Sequence, residues 1–125
     1  MSSGLLYTGS PEQLIAAVNM TVARRAEYTV SRYKGDNNWD ELVPEEAAIT
    51  LRITATGITT PAWINTLITR QDGGIFETYR ASFDEGDQHQ GPVAVEQLDE
   101  RVEGDYRRFV LILRSSGMVV YTPPV

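Results

Sequence analysis

The sequence predicts a single α+β domain, residues 1–125, in which an N-terminal amphipathic helix packs on a mostly antiparallel sheet of about five strands. Three observations lead to this fold class. A helical pattern with capping residues lies near the start, one segment alternates apolar and polar residues, and two pairs of apolar segments each flank a turn. The length of 125 residues is that of one ordinary domain, and no internal repeat or linker divides it.

The helix is expected from Pro11 to Arg25. A capping box and a proline at the first helical position begin it, and one apolar stripe with a four-residue spacing follows. These residues are Ser10, Pro11 and Gln13 at the start and Leu14, Val18 and Val22 along the stripe. Residues 28–33 fit a helix and a strand equally well, and residues 35–46 are rich in turn-forming residues, which predicts a loop.

The five strands are one alternating strand and two hairpins. In residues 48–56, apolar and polar side chains alternate, which indicates a strand with one solvated face. The first hairpin is expected over 63–83, with Asp72-Gly73 at its turn. The second joins 109–113 to 118–121. Its core residues are expected to be Phe109, Leu111, Leu113 and Val119.

A possible short second helix lies between the hairpins. Val95, Leu98 and Val102 recur at helical spacing, and Gly104 would end the helix.

Composition and charge limit the binding partners and the cellular location that the sequence predicts. The chain has 17 acidic and 11 basic residues, a formal charge of −6, so no nucleic acid partner is predicted. All basic residues except Lys34 are arginines. No apolar run reaches the ~20 residues of a membrane span, and the first residues lack the basic and apolar regions of a signal peptide. The expected location is the cytoplasm or an assembled particle.

No catalytic, metal or cofactor site is predicted. The absence of cysteine excludes disulfides, thiolate zinc sites and cysteine nucleophiles. His89 is the only histidine; its surroundings of Gln, Gly and Asp indicate a solvated, dispensable loop residue.

A calcium loop is rejected on spacing. Asp36, Asn38 and Asp40 have the spacing that opens an EF-hand loop, but its sixth and twelfth positions are Glu41 and Ala47 rather than glycine and glutamate.

Charge is unevenly distributed along the chain. Residues 84–105 carry −7 and residues 36–46 carry −5, which leaves +6 for the rest. Such segregation favours contacts between chains, although a solvated acidic loop explains it equally well. Aromatic residues and arginines dominate interface hot spots and can also grip anions. The interface or binding candidates are therefore Trp39, Tyr79, Arg80, Tyr106, Arg107 and Arg108.

The leading hypothesis is a non-enzymatic assembly protein, either a homo-oligomer or a subunit of a larger structure such as a virion or tail component. One alternative is a small-molecule binder that sequesters a nucleotide-like anion at arginines and aromatics between subunits. The other is a small hydrolase that uses a pair of carboxylates.

Overall fold

The structure is a computed structural model that describes the backbone of residues 1–34, 40–115 and 119–124, and the side chains of those residues outside 27–48. This part of the chain is mostly strand, with one helix and seven strands. The elements are β1 (Ser2–Thr8), β2 (Gln13–Lys34), β3 (Asp40–Thr59), α1 (Pro61–Gly73), β4 (Glu77–Phe83), β5 (Gln88–Glu103), β6 (Tyr106–Ser115) and β7 (Val120–Thr122).

The strands form one antiparallel sheet that closes on itself. Their order is β4-β1-β2-β3-β6-β5-β7, and β4 also pairs with β5. The β4–β5 pairing joins six strands into a barrel, which removes the open edges that a flat sheet would expose. The short strand β7 lies on the other side of β5, against Gln88–Gln90.

Alternate residues of the six strands fill the interior of the barrel, as the two-residue period of a strand requires. Leu6, Met20, Ile53 and Leu111 are at most 1% exposed. The helix α1 adds Ile64 and Leu67 to this core, and both are buried. The expected core residues Phe109, Leu111, Leu113 and Val119 are confirmed as buried.

The α+β prediction is wrong because the segment expected to be the N-terminal helix, 11–25, belongs from Gln13 onwards to the strand β2. Side chains four residues apart share one face of a helix, but they also share one face of a strand. The pairing shifts between Leu6↔Ala16 and Tyr7↔Leu14, so Ile15 is an extra residue in a β-bulge. The bulge buries Ile15 and Ala16 together and leaves Leu14 47% exposed. This interrupts the strict alternation by which a strand is recognised.

The predicted first hairpin is also wrong in its first half, because 61–73 forms α1. The Thr60 hydroxyl accepts a hydrogen bond from the Trp63 amide at 3.4 Å, and Pro61 occupies the first turn. Gly74 ends the helix with φ 60°, in the left-handed region that glycine favours. The Asp72-Gly73 pair therefore lies in the last turn of a helix, and the second half of the hairpin is β4.

The short helix expected over 93–102 is instead part of β5. The pairing with β6 shifts between Val95↔Leu113 and Gln97↔Ile112, so Glu96 is a second bulge. Because of the bulge, the next inward-facing side chain after Val95 is Leu98, three residues further along the strand. A strand with one extra residue therefore mimics helical spacing.

Three further expectations need correction. Residues 40–46, the described part of the expected loop 35–46, belong to β3. Residues 28–33, which fitted a helix and a strand equally well, belong to β2. The described residues do not pair as the expected second hairpin: β6 pairs with β3 and β5, while β7 pairs with β5. His89 is not a solvated loop residue, because it lies in β5 and is only 7% exposed.

Candidate assembly interface

The strands β2 and β3 extend beyond the barrel as a two-stranded ladder. Within the described residues, β1 accompanies β2 only as far as Met20, and β6 accompanies β3 only as far as Arg52. From Arg24↔Leu51 to Lys34↔Asp40 the two strands pair with each other alone. We call this ladder, residues 24–34 and 40–51, the arm. At ~3.3 Å per residue it is about 35 Å long.

The arm has more backbone hydrogen-bonding capacity than one ladder can use. Each strand of a two-stranded ladder turns about half of its amides and carbonyls outwards, where another strand can pair with them. Isolated two-stranded hairpins are marginally stable in water. The described part of this chain supplies no third strand beside the arm, so the arm's two edges are surfaces available to another chain.

The base of the arm is fixed to the barrel by side chains as well as by pairing. The Leu51 amide donates a buried hydrogen bond of 2.7 Å to the Ser115 hydroxyl oxygen, where β6 ends. On the opposite strand, the Arg24 guanidinium lies 5.8 Å from the centre of the Tyr121 ring. These contacts connect the arm to both C-terminal strands.

The candidate residues of the sequence prediction lie in three places. Trp39 lies outside the described residues. Tyr79 is 1% exposed in the barrel interior, where its hydroxyl accepts a hydrogen bond of 2.9 Å from Arg70. Burial raises the pKa of the Tyr79 hydroxyl despite this bond, so the group stays neutral. Its neighbour Arg80 points to the outer face of β4.

Arg80 is held by partners within its own chain. Its guanidinium lies 4.1 Å from the centre of the Tyr7 ring. Its Nε donates to both carboxylate oxygens of Glu12, at 3.1 and 3.0 Å, and its Nη2 donates to Glu12 at 2.6 Å. This hydrogen bonding lowers the pKa of Glu12 and raises the pKa of Arg80. A phosphate would therefore have to displace Glu12 in order to bind Arg80.

Tyr106, Arg107 and Arg108 lie together at the start of β6. Tyr106 is 56% exposed next to the turn that joins β5 to β6. Arg107 lies 3.8 Å from Glu100, and Arg108 donates two hydrogen bonds, of 2.9 and 3.2 Å, to Glu103. This group pairs with β3 and the end of β5, whereas Tyr79 and Arg80 pair with β1 and the start of β5. The two sets of candidates are therefore separate in the sheet.

The charges that are segregated along the sequence partly compensate each other within the fold. The acidic residues of β5 face the arginines of β3 and β6: Glu96 lies 3.6 Å from Arg52 and 3.9 Å from Arg114. All these pairs are exposed to a substantial degree, so each stabilises the fold by at most about 1 kcal/mol. They nevertheless reduce the charge left for contacts between chains.

An open depression of about 490 Å³ lies over β1, β2 and β3. Both apolar and polar residues line it, among them Leu5, Ile58, Asn19, Asp84 and Arg108. The described part of the chain contains no cluster of three His, Cys, Asp or Glu side chains that could hold a metal ion. None of its helices has the length and apolar character needed to cross a membrane.

Comparison with known structures gives the fold a precedent. A chain in the tail of an empty gene transfer agent particle, solved with helical refinement and C6 symmetry, matches with a TM-score of 0.66 and 17% identity over 95% of each chain. A chain in the virion of a native gene transfer agent particle matches with a TM-score of 0.67 and 18% identity, over 96% of this chain and 95% of that one. This chain has the fold of gene transfer agent particle chains. No family model matches the chain, and no curated protein matches it.

The arm is the main feature of the fold that the sequence did not predict. Its only signal was the ambiguity of residues 28–33, which are compatible with an extended chain. The loop-like composition of 35–46 concealed the second strand.

Proposed function

We propose that this protein is a structural, non-enzymatic subunit of a tail-like or virion-like particle, and that it assembles with further copies of itself through the arm. The observation that carries the proposal is the arm itself, a ladder of about 35 Å with two open edges and no third strand in the described chain. The shared fold with gene transfer agent particle chains supports the same role.

Self-assembly explains why so long a ladder can persist. An isolated hairpin is marginal in water, but strands of neighbouring copies would satisfy its outward amides and carbonyls. The two edges belong to different strands, so contact between unlike edges is heterologous. Repeated heterologous contacts generate rings or helical filaments. The exposed Tyr106 and its arginine neighbours are candidates for additional contacts at the other end of β6.

The test is an arm-truncated variant in which residues 27–48 are replaced by Asn-Gly. This replacement keeps the Ala26↔Ile49 pair and closes it with a two-residue turn. We expect wild type to form a defined oligomer or polymer in sedimentation velocity and electron microscopy, and the truncated variant to be monomeric. The matched control is Phe76→Ser, which changes an exposed side chain outside the arm and should leave assembly in place.

Circular dichroism and thermal unfolding separate loss of assembly from loss of folding. The pairings of β1 with β2, of β6 with β3 and of β5 with β6 all lie outside the deleted segment, so the variant should keep its strand spectrum and a cooperative transition. A folded variant that assembles as wild type does would contradict the role of the arm. A wild type that is monomeric at every concentration would contradict the assembly proposal as a whole.

A further inference from the structure

His89 occupies an unusual position for the only histidine of the chain. It lies on β5 between Ala81 of β4 and Tyr121 of β7 and is 7% exposed. Its ring centre lies 4.9 Å from that of Tyr121 and 6.3 Å from that of Phe83. Its Nδ1 is buried and has no hydrogen-bond partner, and the same holds for Oδ1 of the nearby Asp87. β7 therefore covers a buried, incompletely satisfied imidazole.

The strand that covers His89 is weakly held. β7 has three residues, all of them exposed, and it pairs with β5 alone in the described structure. Tyr121, on the same side of the sheet as His89, is still 45% exposed. Short segments with few buried contacts are the ones that open locally while the rest of a domain stays folded.

The surroundings of His89 favour its neutral form while β7 is in place. Three titratable or charged groups face it in the described residues: Arg24 from β2, Asp87 from the β4–β5 turn and Tyr121 from β7. Burial and the Arg24 cation lower the pKa of His89, and the Asp87 carboxylate opposes this only in part. A protonated imidazole has two N–H donors, and Nδ1 has no acceptor in the covered state.

We propose that β7 is a proton-controlled latch: protonation of His89 releases β7 from β5 and exposes the β5 edge at Gln88–Gln90 together with the base of the arm. The released state lets water solvate the imidazolium and removes the Tyr121 ring that joins His89 to Arg24. The freed edge carries unpaired backbone groups, so it can accept a strand of another chain. The latch rests on the His89 geometry and does not require the proposed function.

The size of the effect follows from linkage. The covered state has the lower histidine pKa, so it is favoured at pH values above the ordinary value of 6.5. Its advantage declines as the pH falls from 6.5 through the lower pKa of the covered state. Each unit of difference between the two pKa values changes the ratio of covered to released β7 by up to about tenfold.

The experiment is hydrogen exchange of the full chain at pH 7.5 and pH 5.5, with each rate divided by the intrinsic rate at that pH. We expect the protection of residues 120–122 to fall several-fold at pH 5.5, while residues 109–113 of β6 keep theirs. His89→Phe and His89→Gln should abolish the fall, because neither side chain gains a proton. Asp87→Asn should enlarge it, because the removed carboxylate stabilises the imidazolium in the covered state.

Each measurement in this experiment has an outcome that would contradict the latch proposal. If β7 in wild type is equally protected at both pH values, the latch does not exist, and this result does not depend on whether the variants fold. If folded His89 variants show the same fall, another group controls β7. A smaller fall in Asp87→Asn would show that the electrostatic balance around His89 has been assigned wrongly.

Discussion

Truncation of Leu111 tests whether the closed barrel is the stabilising core. Leu111 is 0% exposed and lies in β6 between Ala55 of β3 and Leu98 of β5. Leu111→Ala removes three carbon groups, which at ~0.8 kcal/mol each amounts to about 2.4 kcal/mol of lost transfer free energy. A residual cavity of about 60 Å³ at ~24 cal/mol per Å³ adds about 1.4 kcal/mol. The expected loss of unfolding free energy is therefore roughly 3–4 kcal/mol.

Urea titration in the arm-truncated background measures this loss, because a monomer unfolds independently of protein concentration. The matched control is the adjacent Val110→Ala, which shortens a half-buried side chain on the other face of β6 and should cost about 1 kcal/mol or less. If Leu111→Ala and Val110→Ala cost the same, the alternation of β6 between interior and exterior is wrong. A loss below about 1 kcal/mol for Leu111→Ala would show that β6 does not border the core.

Two further substitutions test local features of the fold. Gly74→Ala should lower the unfolding free energy by about 1 kcal/mol, because φ is 60° there and open space around the residue leaves only the backbone cost; an unchanged melting temperature would contradict the left-handed cap. Glu12→Gln should cost less than about 1 kcal/mol at pH 7, because the Arg80 pair is partly exposed. The lowered pKa of Glu12 means that its contribution is present above the ordinary value of 4.5 and disappears as the pH falls through the lower folded-state value. Wild type and Glu12→Gln should therefore become equally stable in strong acid, and a difference that persists there would contradict the pairing.

The sequence predicts the hydrophobic core of the C-terminal strands well, and the physical reason is plain. The continuous apolar run from Phe109 to Leu113 has a length typical of a buried strand, and no helix cap precedes it. Its alternate residues are the most buried of β6. Here local composition and tertiary burial require the same conformation.

The helix predictions were wrong where one local sequence pattern is compatible with both a helix and a strand. Ser10-Pro11 and Thr60-Pro61 both have the residues that begin a helix, yet only Thr60-Pro61 begins one. The Pro11 segment is drawn into the sheet by pairing with the preceding strand β1 and with the distant end of β3, as in the pair Val18↔Gly57. Such pairing overrides local helix propensity and is not visible to a reading of one segment at a time. The available signal for α1 was the combination of Thr60, Pro61 and the Gly73-Gly74 end.

Bulges explain the remaining error in the fold. The extra residues Ile15 and Glu96 each move the buried side of a strand by one position. At the first bulge Ile15 and Ala16 are buried side by side, and at the second the inward residues Val95 and Leu98 are three apart. The candidate interface could be predicted from the sequence only in part, for a related reason. Exposed aromatics such as Tyr106 can be predicted from composition. The arm, in contrast, exists because the pairing with β1 and β6 stops before β2 and β3 end.

Hydrogen exchange of the arm as a function of protein concentration tests whether the protein assembles through the arm. The outward amides of residues 24–34 and 40–50 have no partner strand within the described chain, so we expect their protection to come from another copy. We expect these amides to be protected under conditions where the protein is assembled and to exchange rapidly when dilution dissociates it, while barrel amides such as those of β6 stay protected in both. Equal exchange of the outward arm amides in the assembled and dissociated protein would contradict assembly through the arm.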